Sequence, residues 1–114
     1  MPTYVPRRGD FVILASNSPS GRGQKGGRPA LIVSNTLFNK RMGLAMVCPI
    51  TNAKRDIPFR VEAPGESPLT WYVMAERINT VDYTCGKVKF VGKAPAAVLN
   101  EVLSLLDACL YSAD

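Results

Sequence analysis

Gly21-Arg22-Gly23-Gln24-Lys25-Gly26-Gly27-Arg28-Pro29-Ala30-Leu31-Ile32-Val33-Ser34 is the stretch on which the rest of the chain turns. Its first eight positions hold four glycines, two arginines, a lysine and a glutamine, and an apolar run follows at once. A loop with so little side-chain bulk lets its backbone approach another molecule closely. Its N–H donors and the cations Arg22, Lys25 and Arg28 suit an anionic ligand. Pro29 fixes its own φ and drives Arg28 toward an extended conformation, so Arg28 stands where a basic loop meets a rigid strand. Gly21-x-Gly23-x-x-Gly26 matches the dinucleotide fingerprint only formally. That motif follows a strand directly and opens a helix, whereas Ser16 to Ser20 precede it here and Ala30-Leu31-Ile32-Val33 reads as a strand.

The 114 residues amount to one domain spanning 1–114, with no apolar run near the roughly 18 residues of a membrane span. The residues before Gly9 do not read as a signal peptide. Cys48, Cys85 and Cys109 are odd in number and scattered, which points to reduced thiols in a cytoplasm. Cys48 and Cys109 lie in apolar runs and are expected in the core. Histidine is absent, which removes the commonest metal ligand and the commonest general acid/base. No metal site and no cofactor are expected. The net charge of +5 is unevenly spread: residues 1–55 carry nine Lys/Arg against Asp10 alone, and residues 56–114 carry five against eight acids. Segregated charge of this kind is the footprint of a polyanion ligand.

Outward from the loop, the apolar run 11–15 reads as a strand buried on both faces, and 30–34 as a second. Residues 35–40 suit a helical turn capped by Ser34 or Asn35. A third strand over 44–48 is expected to be interrupted by Pro49, making its far end an edge or a bulge, with Thr51 just beyond where strand gives way to the loop 52–56. In 58–62, Phe59 and Val61 alternate inward against Arg60 and Glu62. A turn is expected over 63–68, and 69–75 alternates again before Glu76 and Arg77. Short strands follow at 80–82 and 87–91. Of Trp71 and Tyr72, one must be core, because strand neighbours point oppositely; the other is free to stack on a base. After Pro95 the period becomes helical, with Val98/Leu99, Val102/Leu103, Leu105/Leu106 and Cys109/Leu110 on one side. The fold class is therefore mainly β with helical additions (α+β): a small, bent antiparallel sheet or barrel closed by a C-terminal helix. Loops 16–28, 51–57 and 76–79 are expected to converge at one end.

Gly9-Asp10, Gly26 to Ser34, Phe38-Asn39, Val47-Cys48-Pro49-Ile50-Thr51, Pro58-Phe59 and Val98 to Leu103 together resemble the MazF/PemK toxin family, in order along nearly the whole chain. The resemblance implies an SH3-like β-barrel of the CcdB/PemK kind, homodimeric, acting as a metal-independent endoribonuclease on single-stranded RNA such as mRNA. It implies 2′,3′-cyclic phosphate and 5′-hydroxyl ends, and inhibition by a cognate antitoxin with an acidic, flexible tail. It assigns catalysis to Arg28 and Thr51. Glu76 is an alternative base, or else the ion-pair partner of Arg77 or Arg28. Arg22, Gln24, Lys25, Gly26, Gly27, Asn52, Lys54, Arg55 and Arg77 are assigned to RNA binding. The chain departs from the family pattern at Gly23-Gln24, where relatives often carry Glu-Gln. A gyrase-poisoning toxin of the CcdB type and a barrel that binds RNA without cutting it are the alternatives.

Overall fold

The computed structural model describes residues 4–15, 27–64 and 70–113. Seven strands and two helices are built in the order β1 (Asp10–Leu14), β2 (Arg28–Ile32), α1 (Thr36–Met42), β3 (Leu44–Thr51), β4 (Arg60–Pro64), β5 (Thr70–Met74), β6 (Asn79–Asp82), β7 (Val88–Lys93) and α2 (Ala96–Tyr111). Short 3₁₀ turns at Ala75–Arg77 and Tyr83–Cys85 flank β6. Every ladder is antiparallel, and the strands lie side by side as β4-β5-β3-β2-β1-β7, with β6 on β3. This is the expected mainly-β fold, a curled half-barrel with a C-terminal helix. Among the described residues no helix is long and apolar enough to cross a membrane.

Both faces of the sheet's centre are buried, because β1, β2 and β3 carry apolar residues at consecutive positions. Phe11, Leu31, Cys48, Val61 and Val73 pack on one face under Val98 and Val102 of α2. Val12, Ala30, Ile32, Ala45 and Val47 pack on the other with Tyr83. Trp71 is the core member of its pair, meeting Phe11 edge-on at 5.1 Å. Asn35 caps α1 by accepting from the Phe38 N–H at 2.8 Å, as the sequence suggests. Asn39, fully buried, donates to the carbonyls of Pro6 (2.8 Å) and Ser34 (3.2 Å), tying α1 to the N-terminal segment and the end of β2.

Three expectations are overturned. β3 does not stop at Pro49; it continues to Thr51. Pro49 falls where β3 changes neighbours, between its pairing with β6 (to Val47) and with β5 (from Ile50), so the missing N–H interrupts neither ladder. Cys109 is exposed, because burial along α2 ends with Leu106 and every residue from Asp107 to Tyr111 is exposed. Arg60 shares the outward face with Glu62, as alternation suggests, although an ion pair leaves its side chain only 9% exposed. The strand it opens is also displaced, ending at Pro64 where a turn was expected, and residues 65–69 lie outside the described part.

Candidate functional site

Strand register brings the two residues of the expected catalytic pair together. Ala30 is opposite Pro49 at the end of the β2–β3 ladder, and Arg28 and Thr51 each lie two residues beyond on their own strands. Opposed residues on antiparallel strands present side chains to the same face. Arg28 is exposed and Thr51 half-buried. Gly27 holds the start of β2 against the end of β1. Its φ is +88°, and a Cβ there would lie 2.3 Å from the Leu14 carbonyl oxygen, so only glycine fits. The Thr51 hydroxyl accepts from the Ala53 N–H at 3.1 Å, which occupies one lone pair and leaves its proton free to donate.

Arg28 and Thr51 line an open cavity of about 550 Å³ together with Pro49, Ala53, Arg55, Arg60, Met74, Arg77 and Asn79. Its size falls within the range of ordinary ligand clefts. Among the described residues four arginines and no acid line it, so an anion entering it meets positive charge from β2, β4, the 52–57 loop and the turn before β6. Arg60 alone among the four is neutralised: its Nε and Nη2 donate to one oxygen, Oε2 of Glu76, at 3.1 and 2.9 Å. Among the described residues no group of three or more His, Cys, Asp and Glu side chains clusters as a metal site would.

The model of the PemK-like, MazF-like toxins of type II toxin–antitoxin systems matches residues 7–110. The chain belongs to this family. It is 31% identical over 107 residues to endoribonuclease PemK of Escherichia coli, an overlap of 90% of this chain and 80% of that one. It is 32% identical over 109 residues to endoribonuclease toxin ChpB of Escherichia coli strain K12, covering 89% and 90% of the two chains. A MazE–MazF complex (Form-II) from Deinococcus radiodurans has the same fold at TM-score 0.79 and 32% identity, over 96% of this chain and 99% of that one.

The PemK/MazF-like frame sorts the expected site residues. Arg28, Thr51, Arg55 and Arg77 converge on the cavity. Asn52 and Lys54 are exposed on the same loop but alternate with Ala53 and Arg55 and do not line it. Glu76 pairs with Arg60 rather than with Arg77 or Arg28, and it lines a separate groove beside α2. Gly27 sits at the cavity's edge of β2, and Arg22, Gln24, Lys25 and Gly26 lie outside the described residues. Tyr72, on the face opposite Trp71, is the register partner of Thr51 and Glu62. Arg60 is the residue that sequence reading missed. Its displaced strand start was the obstacle; the parity it shares with Glu62, against buried Val61, already set it on the site's face.

Proposed function

We propose that this protein is a metal-independent endoribonuclease toxin that cuts single-stranded RNA, mRNA in the cytoplasm being its target. The observation that carries this reading is that Arg28 and Thr51 line one cavity walled by arginines, with no acid lining it among the described residues. RNA supplies its own nucleophile. The 2′-oxygen attacks the adjacent phosphorus, the bond to the 5′-oxygen breaks, and a 2′,3′-cyclic phosphate and a 5′-hydroxyl remain. The protein must align this attack and stabilise the charge that grows on the phosphoryl oxygens. The planar guanidinium of Arg28 offers two parallel donors to those oxygens, and the Thr51 hydroxyl offers a third. The backbone N–H of Gly27, the residue before Arg28, is a further candidate donor. A guanidinium offers donors and no acceptor, so the role assigned to Arg28 is electrostatic.

The four cavity arginines also suit an acidic peptide. The proposal therefore includes a cognate antitoxin whose flexible acidic tail fills the cavity, in keeping with structural neighbours solved as MazE–MazF complexes. It includes a homodimer as the active unit. The curated relatives are named endoribonucleases, which favours this reading over a gyrase poison or a non-cutting RNA-binding barrel.

Incubating the purified protein with a long unstructured RNA in EDTA tests the proposal. Fragments ending in 2′,3′-cyclic phosphate and beginning with 5′-hydroxyl are expected. Cleavage that vanishes on chelation and returns with a divalent ion would overturn the metal-free mechanism. Intact RNA under all conditions would overturn the activity itself.

A further inference from the structure

Arg60 and Glu76 form the ion pair nearest to the cavity, and the proposed chemistry leaves both unused. Glu76 adjoins the cavity residue Arg77 in sequence, as Asp56 adjoins Arg55, yet Glu76 stands outside the cavity, in the groove lined by Val33, Met46, Ile78 and Leu106. Arg60 is the member of the pair that lines the cavity. The guanidinium thus lies between the carboxylate and any substrate. Two of its five N–H donors are spent on Glu76, and three remain for another acceptor. Its side chain is 9% exposed and that of Glu76 28%, so the pair is partly withdrawn from water and oriented. A long side chain held this way loses less freedom on binding than a solvated one.

Sheet order sets the distance to the reacting centre. Arg60 opens β4 opposite Met74 of β5, and Tyr72 of β5 is opposite Thr51 of β3. Arg60 is thus two strands from Thr51 and three from Arg28, about 10 and 14 Å across the strands at a spacing of about 4.8 Å, with a further offset of about 7 Å along them. One phosphate fits between Arg28 and Thr51 on adjacent strands. A fork two strands further along that lines the same cavity is placed for a neighbouring phosphate of the same chain.

We infer that Arg60 binds the backbone phosphate next to the one that is cut, and that Glu76 is its positioning residue rather than a general base. This inference rests on the ribonuclease reading above. A contact to a phosphate that does not react binds ground state and transition state alike, so losing it raises KM and leaves kcat. Glu76 then acts in a direction opposite to its charge. An acid near a polyanion site should weaken RNA binding, and its removal should tighten it. If Glu76 holds Arg60, its removal weakens binding instead.

The test is steady-state cleavage of a short single-stranded RNA carrying one cut site, with thermal melts, for Arg60→Gln, Arg60→Lys, Glu76→Gln and the double variant. Arg60→Gln should raise KM on the order of tenfold, the scale of one charge-assisted hydrogen bond, with kcat within about threefold. Arg60→Lys should not restore KM fully, because a point charge lacks the fork. Glu76→Gln should raise KM severalfold and add nothing to Arg60→Gln, since neighbours in one network are non-additive. The pH dependence of kcat should keep its shape in Glu76→Gln. A kcat for Glu76→Gln reduced a hundredfold, with a lost acidic limb, would make Glu76 the base and overturn the inference. A lowered KM for Glu76→Gln would show a purely electrostatic acid and overturn it too. If the wild type cleaves and Arg60→Gln keeps its KM, the inference alone fails; if the wild type cleaves nothing, the ribonuclease reading fails with it.

Discussion

One face of the sheet can be followed along β2 and β3 from a closed half to an open half. In the closed half, Val12, Ala30, Ile32, Ala45 and Val47 are all 0% exposed, packed against Tyr83 and the N-terminal Tyr4 and Val5. In the open half, Arg28 and Thr51 continue the same face, joined by Met74 and Arg60 from β5 and β4. The backbone is the same ladder throughout. What changes is the cover: an N-terminal segment and a 3₁₀ turn seal one half, and nothing among the described residues seals the other. Small and β-branched residues fill the sealed half at interior packing density. Guanidiniums, which keep their charge at any physiological pH, line the half that stays wet. The two halves should therefore separate cleanly into stability and catalysis when mutated.

The largest effect is expected in the sealed half. Ile32→Ala should cost about 2–5 kcal/mol of unfolding free energy, through lost burial and a residual cavity. A lowered urea midpoint at unchanged m-value, with wild-type kcat for the folded fraction, would sharpen the contrast. Next comes Arg28→Lys in the open half, which should lose cleavage on the order of 10²-fold or more while the melt stays near wild type. Near-normal cleavage by this variant would break the assignment of the open half to chemistry, and a collapsed melt would make Arg28 structural. Thr51→Ala removes one neutral donor and should lose on the order of 10-fold to 10²-fold, again without unfolding.

The smallest effect concerns thiols. Burial, with Glu76 nearby as the lesser cause, pushes the Cys48 thiol up to about 12. Cys85 and Cys109 are exposed. At pH 8 an alkylating reagent should modify two cysteines of the native protein and the third only after unfolding. A raised folded-state pKa contributes stability that is full below the unfolded value, near about 8.5, and is lost as pH rises toward the folded one. A Cys48→Ala variant should therefore show a shallower decline in stability above about pH 9 than the wild type. Equal reactivity of all three thiols would mean that the sealed core opens readily.

Much of the site was legible because strand chemistry is local. Pro29 after Arg28 forces an extended start to β2, and alternation within a strand assigns parity, so the neighbours of Arg28 and of Thr51 could be sorted without coordinates. Trp71 and Tyr72 show the limit of that logic. Alternation says that one is core, but only the pairing of Tyr72 with Thr51 says which faces the site. Pro49 was misread for a related reason. A proline argues against a central strand only if its missing N–H was needed, and β3 changes partners at that residue.

By itself the sequence determined the antiparallel sheet, the C-terminal helix, the absence of histidine chemistry and the family, because period, turn residues and motif order are properties of short segments. Tertiary structure alone decided which loops meet, that Glu76 takes Arg60 as its partner, and that the exposed end of α2 leaves Cys109 in water. Those outcomes depend on register across strands distant in sequence, where a shift of one residue exchanges the two faces and no local preference records the choice.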